Sequence, residues 1–101
     1  MEGGSALWCI MVISSMAVFQ EKCKVEYLEW RKKLGEETKI SLKEISLNDV
    51  FVVWSCKALQ NWKAIVGNKV DDILAEYTFN GNKGELYEDV YMKISNRCIT
   101  E

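Results

Sequence analysis

The sequence predicts an α+β domain: one long helix packed on a curled antiparallel sheet of four to five strands. Three observations carry that expectation. Apolar residues recur at spacings of three and four from Met16 to Leu34. After Gly35 the apolar period shortens towards two. Two aromatic, β-branched runs then flank the turn-forming string Asn80-Gly81-Asn82-Lys83-Gly84. The longer period marks one face of a helix, and the shorter one marks strands with one face buried. A length of 101 residues and an apolar share of 49% suit a single domain, 1–101, with one core.

The elements follow in chain order. Residues 7–13 form a continuous apolar run of strand length, which suits a strand covered on both faces, with a buried helix as the alternative. The apolar stretch over 6–19 is short for a bilayer span. Met1-Glu2-Gly3-Gly4 lacks the positive start of a signal peptide, so the run is expected to stay in place in a cytoplasmic protein. The alternative is secretion after cleavage near Ala17, at Ser15-Met16-Ala17.

In the helix, Met16, Phe19, Cys23, Tyr27, Trp30 and Leu34 form one stripe. Ser14 or Ser15 can cap its start by accepting from an unpaired backbone N–H. Arg31, Lys32 and Lys33 fall in its last turn, where the dipole favours cations, and Gly35 can take the left-handed stop. Ile40 and Leu42 then alternate with polar residues, and Ile45 and Leu47 continue after a one-residue slip that suits a bulge. Asn48-Asp49 is turn material, and the run over 50–54 reads as a central strand. Residues 58–66 fit either a helix turn or a strand.

Residues 73–79 and 86–94 read as a hairpin around Asn80-Gly81, whose positive φ angles suit a tight turn. Amphipathic helices are the competing reading there. The expected register sets Phe79 against Gly84, Tyr77 against Leu86, Ala75 against Glu88 and Ile73 against Val90. On this hairpin, the stretch 74–91, LAEYTFNGNKGELYEDVY, resembles the central hairpin of NTF2-like, SnoaL-type domains. The resemblance implies a helix laid on a curved sheet, a shape those domains share with cystatin-like proteins. The Asp/His pairs usual in that family have no counterpart here, since the chain has no histidine.

That absence also excludes Ser-His-Asp and Cys-His catalysis and the common histidine metal sites. The sequence shows no phosphate-binding loop, dinucleotide fingerprint or nucleophile elbow, so no cofactor is expected. A net charge of −2 with interspersed signs argues against nucleic acid, and the Arg31-Lys32-Lys33 cluster is explained by the helix end. Cys9, Cys23, Cys56 and Cys98 have no metal spacing and are expected to be buried thiols, with disulfides as the alternative.

Glu88 is the carboxylate with chemical potential. On the apolar face its pKa should rise, fitting it to act as an acid, a base or a ligand anchor; a slip of one residue makes it a solvated sheet residue. Asp71-Asp72 reads as a turn before Ile73. Of Trp8, Trp30, Trp54 and Trp62, most are expected in the core, with one or two at the surface. Tyr87, Asp89, Tyr91 and Lys93 share the other strand face and form a candidate contact surface.

The function expected is therefore a small, non-catalytic protein-binding domain, such as an inhibitor or immunity-type protein. Its binding residues would be Tyr87, Asp89, Tyr91 and Glu88, its partner another protein or itself, and no membrane is involved. Two alternatives stay open: a cone-shaped small-molecule or enzymatic pocket around Glu88, and a homo-oligomeric scaffold subunit.

Overall fold

The computed structural model describes residues 15–38 and 42–100. The strand expected over 7–13, with Trp8 and Cys9, lies outside the described residues, as does Ile40. Helix α1 spans Met16–Thr38, and a short 3-10 turn at Leu47–Asp49 leads into four strands: β1 (Val50–Ala58), β2 (Asn61–Asn68), β3 (Leu74–Asn80) and β4 (Glu85–Tyr91). The strands form an antiparallel meander in the order β1-β2-β3-β4. Helix α1 crosses one face, over β1 and β2, which gives the expected α+β arrangement of a helix on a curled sheet.

Ser15 starts the helix as expected, its Oγ accepting from Val18 N at 3.3 Å and its carbonyl from Phe19 N at 3.1 Å. The end differs from expectation. Among the described residues the only glycine with positive φ is Gly84, so Gly35 stays helical and α1 runs on to Thr38. The Thr38 hydroxyl donates to Leu34 O at 2.6 Å. Arg31 is thus one turn further inside the helix than its sequence position suggested, and it is buried.

Phe19, Cys23, Tyr27 and Arg31 succeed one another at intervals of four and form the buried stripe of α1. They meet Trp62, Ala64 and Val66 of β2 and Ala75, Tyr77 and Phe79 of β3, joined by Val50 and Ile73. Phe19 and Trp62 pack ring to ring with centroids 5.7 Å apart. Trp30 and Leu28 pack at the margin of this core.

A buried polar network locks the helix to the β2–β3 connection. The Tyr27 hydroxyl donates to Ile73 O and accepts from Asn68 Nδ2, both at 2.6 Å. Asn68 also donates to Asp71 Oδ1 at 2.8 Å, and its own Oδ1 accepts from Val70 N and Asp71 N. Arg31 Nη1 donates to Asp71 Oδ2 at 3.0 Å, and Nη2 to Lys43 O at 2.8 Å. The Ile73 N–H donates to Asp71 Oδ1 at 3.1 Å, so Asp71 closes a turn, as expected, and also anchors a buried cation. Burial pushes the Asp71 carboxyl up, but Asn68, the Ile73 N–H and Arg31 outweigh it and hold the group below the usual carboxylate value.

Four further expectations are corrected or settled. Residues 42–46 carry no regular structure, because Ser46 and Asp49 close the 3-10 turn: Asp49 N donates to Ser46 O at 2.9 Å and Ser46 N to Asp49 Oδ2 at 3.0 Å. The bulge lies instead within β1, between Val52 and Trp54, where it adds to the curl. Among the described residues the run over 50–54 belongs to the edge strand of the sheet rather than to a central one, and its apolar side chains serve both faces. Residues 58–66 resolve into the β1–β2 turn and strand β2.

The last hairpin pairs Phe79 with Leu86, Tyr77 with Glu88 and Ala75 with Val90, two residues from the expected register. Gly84, at φ 66°, belongs to the loop, and its N–H donates to Asn80 O at 2.8 Å, so pairing begins at Glu85 rather than at Gly84. A shift of two preserves the parity, and each side chain keeps its predicted face. Gly81 is required for space rather than for φ: a Cβ there would sit 2.1 Å from Gln60 O, in the neighbouring turn.

Candidate functional site

Among the described residues nothing packs on the sheet face away from α1, which is open in that sense. Strand pairing arranges its side chains in rows. Phe51 stands opposite Gly67 and Leu74 opposite Tyr91 at one end of the sheet. In the middle, Trp54 faces Ile65, Ile65 faces Glu76 and Glu76 faces Asp89; beyond them Cys56 faces Lys63, Lys63 faces Thr78 and Thr78 faces Tyr87. The bulge at Val53 brings a further valine to this face, beside Phe51 and Leu74 over Gly67. A Cβ on Gly67 would lie 2.9 Å from Leu74 Cδ2, so these three side chains close over the glycine and form a low apolar mound.

The exposure of this face is the finding that bears on function. Phe51 is 42%, Val53 53%, Trp54 49%, Tyr87 50% and Tyr91 54% exposed. The expected surface of Tyr87, Asp89 and Tyr91 is therefore exposed, on the outward side of β4, and it continues into an aromatic and aliphatic patch on β1. The sequence reading missed that half. The density of large residues over 51–54 marks a strand, but sequence alone does not say which of its faces the helix covers.

Polar groups give the patch its charge. Lys63 pairs with Glu76 at 3.0 Å, and the Tyr91 hydroxyl donates to the same carboxylate at 3.3 Å. The Glu76 charge beside it raises the Tyr91 phenol pKa, and Glu76 likewise raises that of Lys63. The Tyr87 hydroxyl donates to Glu85, which raises the phenol too. With Asp89 added, acidic groups outnumber the one lysine that pairs among them. Lys93 lies at the margin, 3.5 Å from Asp72.

Glu88 occupies the other face, as its parity predicted, next to Tyr77 rather than Ala75. It accepts from the buried Tyr77 hydroxyl at 2.6 Å. Desolvation against the sheet raises the Glu88 pKa, and Glu26 of the helix adds to the rise; the Tyr77 hydrogen bond and Lys33 oppose it. Burial and the Glu88 carboxylate together push the Tyr77 phenol far up, so Tyr77 stays a donor at every working pH. Glu88 itself keeps a solvent-exposed side at the sheet edge. Its first role on this geometry is to satisfy a buried phenol.

A cavity of about 630 Å³ lies elsewhere, between α1 and the segment before β1, lined by Val25, Leu28, Leu42, Ile45 and Leu47 with charged residues at its rim. Glu88 is not among its lining residues. Among the described residues no group of three or more His, Cys, Asp or Glu gathers to hold a metal, and no helix is long and apolar enough to cross a membrane. The cysteines depart from expectation: Cys23 is buried, but Cys56 and Cys98 are exposed thiols, because Cys56 faces outward on β1 and Cys98 follows the end of the sheet.

A family model described as a family of unknown function (DUF6275) matches residues 20–101, which include all four strands and most of α1. No curated protein and no solved structure matches the chain.

Proposed function

Since the chain belongs to the DUF6275 family, whose function is unknown, we propose a function from its geometry: it is a small, non-catalytic domain that binds another protein through the open face of its sheet. The observation that carries this reading is the exposure of Phe51, Val53 and Trp54 on β1 and of Tyr87 and Tyr91 on β4, with Leu74 lying between Phe51 and Tyr91 at one end of the face. Single exposed apolar residues are ordinary, but a contiguous aromatic patch rimmed by charge is typical of a binding surface. Tyr and Trp carry much area at little entropic cost, and Glu76 within the face, with Glu85 and Asp89 on β4, favours a partner with basic groups. The chain order of one helix followed by an antiparallel meander supports reading the fold as a cystatin-like or NTF2-like roll. The two exposed thiols suit a reducing, cytoplasmic setting.

The test is affinity capture from cells that naturally contain the protein, comparing the native chain with Tyr87→Ala and Tyr91→Ala. A stoichiometric protein partner should be retained by the native chain and weakened roughly thirtyfold by either substitution. A captured set that is identical for all three chains would sink the reading. Glu88→Gln should leave capture unchanged, whereas a proton-transfer role in a pocket would require the carboxylate.

A further inference from the structure

We infer that residues 92–100 form a docking arm that lies across the open sheet face of a second copy of this chain, the exchange being reciprocal. The inference rests on the reading of that face as a protein-binding surface and names the partner.

The arm follows β4 without regular structure and is exposed along its length. It carries Met92 at 70%, Ile94 at 96% and Ile99 at 73% exposure, the profile of residues that await a surface. Its charged residues are Lys93 and Arg97, both cations. Lys93 meets Asp72 of its own chain, and Arg97 is the cation carried outward. The open face has the complementary character: aromatic and aliphatic, with Glu76, Glu85 and Asp89 set against Lys63. One chain thus presents an apolar, basic arm and an apolar, acidic face.

Reach allows the exchange. Nine extended residues span about 30 Å, whereas four strands at their usual spacing make a face about 19 Å across. The arm leaves the sheet after Tyr91, at the end where Phe51 and Leu74 form the apolar mound. Two copies related by a two-fold axis place each arm on the other's face, so the contact is closed and stops at a dimer. Unsatisfied apolar surface on both elements is removed in one step.

Equilibrium sedimentation of the full chain tests this directly. The native protein is expected to be a dimer at about 50 μM, with self-association weakened at least roughly tenfold by Ile94→Asp together with Ile99→Asp. Trp54→Ser on the face should weaken it similarly, and Arg97→Glu should do so mainly at low salt. Circular dichroism at a concentration low enough to keep the native chain monomeric should show unchanged melting for the arm variants, because those side chains are exposed within their own chain. A native chain that stays monomeric, or a dimer indifferent to the arm substitutions, overturns the inference. A monomer that still captures a different protein through Tyr91 would refute the arm while leaving the face reading intact. If neither self-association nor capture responds to Trp54 or Tyr91 substitution, both readings fall.

Discussion

Removing the Arg31 guanidinium would leave Asp71 Oδ2 and the Lys43 carbonyl without the donor that Arg31 supplies, in a partly dry site. Arg31→Met should therefore cost about 3 kcal/mol in urea unfolding, the loss expected when one partner of a buried pair is deleted. Asp71→Asn should cost less, since the amide oxygen still accepts from Asn68 or the Ile73 N–H. The acid side of the stability profile follows from the same residue. The folded Asp71 pKa lies below its ordinary value of 3.8, so its contribution is present above that pH and is lost as pH falls through the lower folded value. Glu88 has the opposite sign. Its folded pKa is raised above 4.5, so its ionised form is penalised at neutral pH and relieved as the solution is acidified. Glu88→Gln should be neutral or slightly stabilising at pH 7, by under about 1 kcal/mol given its exposed side, and the difference should fade near pH 4. Thiol alkylation reports a third residue-scale feature: Cys56 and Cys98 should react promptly in the native protein, and Cys23 only after unfolding.

Among the elements, α1 holds the sheet through an unusually narrow stripe, and its stability is concentrated there. Tyr27→Ala should cost about 3–5 kcal/mol, because it deletes a fully buried ring and a double hydrogen bond, against under about 0.5 for Glu29→Ala on the exposed side. Gly35 sits inside the helix with no positive φ, so Gly35→Ala should add up to about 1 kcal/mol and raise the melting temperature by a few degrees. The β1–β2 turn offers the converse case. Leu59 adopts φ 57° and is 82% exposed, a left-handed leucine with little packing in return. Leu59→Gly should relieve about 1 kcal/mol of strain, read as a higher denaturant midpoint with an unchanged slope.

For the whole molecule, the two sheet faces have separate energetic duties. Substitutions on the covered face, such as Tyr77→Ala, should unfold the domain; Tyr87→Ala and Tyr91→Ala should leave its melting temperature within a degree or two, since both rings are half exposed. A large loss of stability at Tyr87 or Tyr91 would mean that the face is structural rather than free for binding.

The local order of the chain was set by its residues. The stripe from Phe19 to Tyr27, the Ser15 cap and the two β-rich runs on either side of the 80–84 loop each specify a helix or a strand without help from distant parts, because side-chain period and turn chemistry are local properties. The parity of β4 was fixed in the same way, and so Tyr87 and Tyr91 stand opposite in sense to Glu88. What no local rule could decide was which side the helix covers, and where along the sheet it sits. That choice left Phe51, Val53 and Trp54 exposed on an edge strand although their composition suits a buried one. It also drew Arg31 out of an apparent helix end into the Tyr27–Asn68–Asp71 network, whose members stand 40 residues apart at the Arg31–Asp71 contact. Hydrogen bonds over such separations depend on the packed arrangement of whole elements, which is why the tertiary structure alone revealed both the polar lock and the open face.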